Sequence, residues 1–186
     1  MNRKSPLTLS DNEFKGVEPP LHVFRFGLSF ADGPLPHASG QGAGPEIKDV
    51  GFSECTGLEA TMEPKVIKEG GRNYGANQRV GPVTFGTVIL KRGMLRNPTL
   101  WQWFTEAASQ GRYARRRDVV ITLHDTTQPV AGAASGGSPY RAVMSWQLKR
   151  ALPIKFKSAD LNAKASEVGV EELHLAHEGL RMALES

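Results

Sequence analysis

The sequence has little cysteine, no long apolar run and no strong excess of either charge. The single cysteine, Cys55, excludes an intramolecular disulfide and any metal site made of cysteines alone. No apolar run approaches the roughly 18 residues that span a membrane, and the first residues lack the apolar core of a secretory signal peptide. We therefore expect no membrane anchor, no signal peptide and assembly in the cytoplasm. The 23 Lys and Arg exceed the 19 Asp and Glu by only four, which does not indicate a protein that packages nucleic acid.

Motifs of nucleotide binding and of catalysis are also missing. The glycines of residues 69–86 are followed by no Gly-Lys-Ser/Thr and form no G-x-G-x-x-G between a strand and a helix. No G-x-S-x-G elbow, which presents a nucleophilic serine in many hydrolases, occurs either. We therefore predict no catalytic residues, no cofactor, no metal site and no enzymatic activity.

One histidine cluster leaves a metal site open. His174 and His177 lie near Glu171, Glu172 and Glu178 in the sequence, and imidazole and carboxylate groups are zinc ligands. A spacing of three residues places the two histidines on opposite faces of a strand, whereas on a helix they would converge. Because the local pattern predicts a strand, we expect no metal there.

The densest basic cluster leaves nucleic-acid binding open. It consists of Arg112, Arg115, Arg116 and Arg117, and such a cluster can bind phosphates. The alternative function that it suggests is a monomeric β domain that binds nucleic acid. Only Tyr113 is interleaved for base stacking, and no nucleic-acid-binding motif surrounds it. A solvated turn, or a salt-bridge patch between subunits, is the favoured interpretation.

Hydrophobic side chains alternate with polar ones along most of the chain, which is typical of β-strands. The predicted strands cover residues 22–30, 50–62, 83–92, 119–123, 140–152 and 167–177. One helix is predicted at about residues 98–110, because Asn97 is a good N-cap and Pro98 suits the first helical position. Trp101 and Trp103 diverge by about 200° on this helix, so one packs inward. The fold class is mostly β with one flanking helix.

Turn-forming residues define the domain organisation. Residues 1–20 are polar and aperiodic, so we predict a flexible N-terminal arm followed by a single β domain at 21–186. Within that domain, Gly/Pro-rich insertions are predicted at 31–46 and 131–139.

Five motifs occur together in an order that resembles a known family. They are GFSECTGLEA (51–60), KEGGRNYG (68–75), VILKRGM (88–94), LWQWF (100–104) and DLNAKASEVGVEELHLAHEGL (160–180). The sequence resembles the tail-tube protein family of contractile phages and of phage-tail-like injection systems over most of residues 21–180. The resemblance implies two packed antiparallel sheets that form a barrel-like sandwich with the helix at its flank.

The family resemblance also implies a structural function. Six copies are expected to close into a ring, and the rings to stack into an inner tube whose channel delivers a cargo protein or DNA. The implied partners are a contractile sheath protein, baseplate hub or spike proteins and a tube terminator protein. A tube-initiator paralogue at the baseplate is the alternative, because the loops and the N-terminal arm are longer than usual in the family.

The resemblance suggests which residues contact other subunits. The region matching Glu69–Tyr74 belongs to a loop between rings, and the strands at 65–69, 83–91 and 167–177 are candidates for channel-lining or ring-closing contacts. The contact candidates are Glu69, Gly70, Gly71, Arg72, Asn73, Tyr74, Lys91, Arg92, Trp103, Arg115, Arg116, Arg117, Glu167 and Glu171.

Overall fold

The computed structural model describes residues 21–32, 51–110, 115–129, 140–162, 164 and 166–185. The predicted arm at 1–20, the predicted insertion at 131–139 and Arg112 lie outside these ranges. The predicted insertion at 31–46 also lies outside them apart from its first two residues, which complete a strand that ends at Asp32.

The described residues form eleven strands and one helix, which confirms the mostly-β fold class. The strands are β1 (Phe26–Asp32), β2 (Glu54–Thr56), β3 (Ala60–Met62), β4 (Lys65–Ile67), β5 (Asn77–Arg79), β6 (Val83–Phe85), β7 (Val88–Gly93), β8 (Arg117–Pro129), β9 (Tyr140–Lys157), β10 (Val170–Ala176) and β11 (Gly179–Leu184). Helix α1 (Thr99–Gln110) lies between β7 and β8 in the sequence.

Seven strands form one antiparallel sheet that folds into two packed halves. The strand order is β1-β8-β9-β10-β7-β2, and β11 pairs with β9. Residues of β9 up to Ala151 pair with β8 and β11, whereas those from Leu152 onward pair with β10. Both halves and the helix contribute to one core: Val88, Leu90, Leu100, Trp103, Val119, Ile121, Leu148, Ala151, Leu173 and Leu175. The described strands do not close into a barrel, since β1 and β2 end the order without pairing to each other.

Strand β9 changes partners at a bulge opposite Asp118. Arg150 has a φ of 51°, which is uncommon for a residue other than glycine, and the register between β8 and β9 shifts here. The Asp118 carboxylate accepts a hydrogen bond from the Arg150 backbone N–H at 2.9 Å and one from Lys149 Nζ at 2.6 Å. Burial raises the pKa of Asp118, but these two donors outweigh burial and hold the pKa below its usual value. The bulge bends β9, so that this one strand pairs with neighbours in both halves of the sheet.

Helix α1 packs on β9 and begins as the sequence predicts. Asn97 Oδ1 accepts a hydrogen bond from the Thr99 N–H at 3.0 Å, which is the expected N-cap contact. Trp103 is fully buried and Trp101 is half exposed, so the two tryptophans diverge as expected.

Most predicted strand boundaries differ from those observed. The strand predicted from residue 22 starts at Phe26, residues 50–62 form two strands, β2 and β3, and the strand predicted at 119–123 covers Arg117–Pro129. Residues 83–92 form two strands because β6 pairs with β3, whereas β7 pairs with β2 and β10. The strand that starts at Tyr140 continues to Lys157. The region 167–177 contributes only β10, and the strand after it, β11, was not predicted.

Candidate assembly surface

Residues 60–85 form a two-stranded ribbon between β2 and β7. Strand β3 pairs with β6, and nearer the tip β4 pairs with β5; none of the four pairs with the main sheet. The two pieces are separated at Pro64 and Pro82, because proline has no N–H to continue a ladder. Gly81 is required at this break, since a Cβ there would lie 1.8 Å from the Glu63 carbonyl oxygen.

The ribbon exposes large apolar side chains to solvent. They are Met62, Val66, Tyr74, Val80 and Val83, of which Tyr74 is 96% exposed. A two-stranded ribbon is marginally stable in water by itself, and clustered exposed apolar side chains mark interaction sites. The ribbon therefore has the composition of a surface that another chain covers.

The tip of the ribbon contains the contact candidates Glu69–Tyr74, all of which are exposed. Arg72 Nη1 donates to Asn77 Oδ1 and lies 3.8 Å from Glu69 Oε2. Gly71 has a φ of 82°, which glycine adopts without steric cost and which reverses the chain. The structure thus presents these six residues on a protruding turn, and their contact with another ring stays a prediction.

The base of the ribbon is anchored on the core through Phe85 and His177. Their ring centroids are 5.2 Å apart, and His177 Nδ1 lies 3.0 Å from the Gly179 carbonyl oxygen. Burial lowers the pKa of His177, although backbone hydrogen bonds at Gly179 and Gly86 act in the opposite direction. The imidazole is therefore held in its neutral form at the joint between the ribbon and the main sheet.

Four of the contact candidates have buried side chains: Arg92, Trp103, Arg117 and Glu171. Arg92 Nε donates to Glu171 Oε1, and Arg92 Nη2 donates to the Asn97 carbonyl at 3.3 Å. The Arg117 guanidinium lies 5.4 Å from the centre of the Trp103 ring, a cation–π contact. Because these four side chains are buried, they could affect subunit contacts only by holding neighbouring surface residues in place. Their role in subunit contacts stays a prediction.

The sequence contained a signal for this burial. On β7 every second residue faces the core, and Arg92 is the next such position after Val88 and Leu90. On β10 Glu171 occupies the inward-facing position before Leu173 and Leu175. The same alternation places Arg117 with the buried positions of β8. A charged residue at an inward position of a strand indicates a buried ion pair or an aromatic partner.

The arginine cluster does not present one exposed basic surface. Trp103 Nε1 donates to the Arg115 carbonyl at 3.1 Å, and Arg116 Nη1 lies 2.8 Å from Glu178 Oε1. Glu178 also accepts from Arg150 Nε at 2.7 Å. Arg116 is thus paired with Glu178 and Arg117 is buried, so the described part of the cluster offers less positive surface than the sequence suggests, which weakens the nucleic-acid alternative.

A row of alternating charges crosses the outward face of β2, β7, β10 and β9. Glu54, Lys91, Glu172 and Lys157 occupy directly paired positions. Lys91 Nζ donates to Glu54 Oε1 at 2.9 Å, and this hydrogen bond raises the pKa of Lys91. A hydrogen bond with His174 lowers the pKa of Glu172, and the neighbouring lysines add to the effect. Lys91 is thus paired within its own chain, whereas the contact candidate Glu167 is exposed.

The residues considered for metal binding are not brought together. His174 Nε2 lies 3.4 Å from Glu172 Oε2, while His177 faces Phe85. Among the described residues, no group of three or more His, Cys, Asp or Glu side chains is placed to hold a metal ion.

Burial raises the pKa of the Cys55 thiol to about 11, so the sulfur is protonated at neutral pH and is a poor nucleophile. The part of the chain that the structure describes also has no helix that is long and apolar enough to cross a membrane.

The main sheet has strand edges that are unpaired within the described residues. Within the described residues, β1 pairs only with β8, β2 only with β7, and β11 only with β9. Exposed apolar side chains lie just before β1 and on β11: Leu21, Val23, Phe24, Met182 and Leu184. Free strand edges beside apolar side chains are the features of a β protein that assembles through its edges.

Solved structures of contractile injection systems share this fold. A chain in the extended sheath–tube complex of the extracellular contractile injection system PVC is 18% identical with a TM-score of 0.68, and the match covers 96% of this chain and 100% of that chain. A chain in the anti-feeding prophage (AFP) baseplate is 24% identical with a TM-score of 0.65, covering 89% and 97%. A chain in the PVC sheath/tube terminator complex is 20% identical with a TM-score of 0.66, covering 90% and 99%.

The fold is therefore shared with chains of contractile injection systems. The sequence matches the family described as T4-like virus tail tube protein gp19 over residues 23–181, and the chain belongs to this family. This confirms the resemblance drawn from the five motifs. No curated protein has a significantly similar sequence.

Proposed function

We propose that the chain is a structural subunit of the inner tube of a contractile, phage-tail-like injection particle. Six copies form a ring, and the rings stack around a central channel that delivers a cargo protein or DNA. The observation that carries the proposal is the family match over residues 23–181, together with a fold match to the whole of a chain in a sheath–tube complex. The subunit has no catalytic role in this proposal.

The exposed surfaces of the chain support assembly from many copies. The edges of β1, β2 and β11 would pair or be covered when subunits close into a ring, which removes a liability to aggregate. Contacts between unlike surfaces of successive copies propagate into a filament unless they close. The protruding ribbon at residues 60–85 supplies such a surface, because its apolar side chains have no cover within the described residues.

The partners follow from the place of a tube in such a particle. We propose that the outside of the tube meets a contractile sheath protein, that one end starts on baseplate hub or spike proteins, and that a terminator protein closes the other end. The structures with the same fold come from sheath–tube, baseplate and terminator complexes. Assembly takes place in the cytoplasm before the particle is released.

A tube-initiator subunit at the baseplate is the second candidate. The observation in its favour is the similarity to a chain in the AFP baseplate, which has the higher identity of the three matches described above. The two candidates differ in the length of the assembly that they form. A main tube subunit assembles into long tubes, whereas an initiator forms one or a few rings on a baseplate protein.

Negative-stain electron microscopy and light scattering of the purified chain test the proposal. We expect rings or tubes with sixfold symmetry, formed either alone or on co-expression with the neighbouring baseplate gene products. Val66→Asp places a charge on the exposed face of the ribbon and is expected to abolish stacking while leaving the circular dichroism spectrum unchanged. Val168→Asp is the matched control, because Val168 is also an exposed valine but lies outside the ribbon.

Two results would contradict the proposal. The first is a chain that stays monomeric in the presence of sheath and baseplate proteins. The second is stacking that Val66→Asp and Val168→Asp affect equally, which would remove the ribbon from the interface. Rings without long tubes under every condition would favour the initiator.

A further inference from the structure

An open groove of about 680 Å³ lies where the start of helix α1 meets the end of β9. The segment Met94–Pro98, which joins β7 to α1, forms one side. Trp101 and Phe156 form the floor, and Arg92 and Glu171 form the inner wall. The groove lies outside the ribbon and the β1, β2 and β11 edges, so it is a different surface from those on which the proposed assembly rests.

The floor of the groove is aromatic and partly exposed. The Trp101 and Phe156 rings pack edge to face with their centroids 5.4 Å apart, yet Trp101 keeps 50% of its surface exposed. Met94 and Leu95 at the rim are also about half exposed. Half-exposed tryptophan and methionine around a concavity are typical of the centre of a protein–protein interface.

The groove has one uncompensated positive charge. Glu171 neutralises Arg92, and Glu171 is the only carboxylate among the lining residues. Arg96 on the rim is exposed and makes no ion pair or hydrogen bond with the described residues. The inner wall adds an unmet donor, because Arg92 is 1% exposed and its Nη1 has no hydrogen-bond partner within the described chain.

We propose that this groove binds a segment of a partner protein in which a large apolar side chain stands next to a carboxylate. The apolar side chain packs on Trp101 and Phe156, and the carboxylate pairs with the Arg96 guanidinium, whose planar shape suits two parallel hydrogen bonds. Nη1 of Arg92 supplies a further donor for an acceptor that enters the groove. A peptide fits better than a nucleic acid, which needs several cations along its backbone rather than one.

Fluorescence anisotropy with labelled heptapeptides tests the proposal on the full chain. The probe is Gly-Asp-Glu-Phe-Leu-Glu-Gly, compared with versions in which the acidic residues are amides or lysines and with a labelled oligo-dT. We expect the acidic peptide to bind at least about tenfold more tightly than the amide version, since a charged hydrogen bond is lost. Arg96→Gln and Trp101→Ala are each expected to weaken binding by a similar factor. Arg181→Gln is expected to have no effect, because Arg181 is an exposed arginine outside the groove that makes no ion pair or hydrogen bond with the described residues.

Other outcomes would overturn the proposal. They are no binding of any peptide, equal binding of acidic and basic peptides, equal effects of Arg96→Gln and Arg181→Gln, or preferential binding of oligo-dT. Electron microscopy of the same variants separates this proposal from the tube function. If Arg96→Gln and Trp101→Ala remove rings that the wild type forms, the groove is a contact between copies and the proposal fails. If wild type and variants behave alike in assembly, the peptide result stands on its own.

Discussion

The buried ion pair between Arg92 and Glu171 allows a sharp test of the packing between β7 and β10. The two residues face each other in the register of these strands, and they are 1% and 7% exposed. Glu171→Ala removes the carboxylate and leaves the guanidinium buried without a counter-charge. Breaking a buried pair in this way costs about 3–5 kcal/mol, a large share of the roughly 5–15 kcal/mol by which a domain is stable.

The expected loss is large enough to measure by two methods. For a chain of this length, each kcal/mol shifts Tm by roughly 2–4 °C, so Glu171→Ala is expected to lower Tm by about 6–20 °C. Urea unfolding followed by tryptophan fluorescence gives the free energy directly. The double variant Arg92→Met, Glu171→Leu replaces the pair with apolar side chains of similar size and is expected to recover most of the loss.

The control is an ion pair on the surface of the same sheet. Glu54→Gln removes the partner of Lys91, and because both side chains are partly exposed, the unfolding midpoint is expected to change little. The reasoning is refuted if Glu171→Ala and Glu54→Gln shift the midpoint equally. It is also refuted if the double variant loses as much stability as the single variants Arg92→Met and Glu171→Leu summed, since the pair would then have no coupling energy.

Two further predictions concern the turn before β3 and the buried histidines. Gly57→Ala is expected to lower the urea midpoint of unfolding far more than Gly70→Ala. Gly57 has a φ of 83° and a Cβ there would lie 2.1 Å from a backbone carbonyl oxygen, whereas a Cβ at Gly70 would meet open space. Equal midpoints for the two variants would contradict this. Burial lowers the pKa of both His177 and His124, so the unfolded chain, with histidine pKa near 6.5, binds more protons. The histidine contribution to stability is therefore expected to be present above the unfolded pKa and to be lost as the pH falls below about 6.5. Replacing both histidines with asparagine should flatten this slope, and an unchanged slope would exclude them as its cause.

Local patterns in the sequence were sufficient for the helix, for most strands and for the family. Asn97, Pro98 and the spacing of apolar residues determine where α1 starts, because capping and helical periodicity depend only on neighbours within a few positions. Period-two alternation likewise identified the strands that pack on the core. The boundaries failed where distant partners decide them, as between β6 and β7: β6 pairs with β3, whereas β7 pairs with β2 and β10.

The roles of the charged residues were decided by the tertiary structure. At the level of the sequence, the family resemblance placed Arg92 and Glu171 in or next to strands that contact other subunits, and charge made the arginines of 115–117 candidates for a salt-bridge patch between subunits. Pairing of β7 with β10 joins Arg92 to Glu171 across 79 positions, and packing of β8 under α1 places Arg117 against Trp103. Because such partners are remote in sequence, no local pattern identifies them, although the alternation along each strand carried a signal for burial that was not used for the prediction.

The sequence by itself determined a mostly-β chain with one helix and membership of a tail-tube family. Only the tertiary structure decided which surfaces are free to meet other proteins. Residues 60–85 form a separate ribbon because β3 pairs with β6 and β4 with β5, and none of them pairs with the main sheet. The groove beside Trp101 forms because β9 continues to Lys157 and brings Phe156 to the helix. Exposure is a property of the folded whole, since it depends on which distant segments cover a side chain.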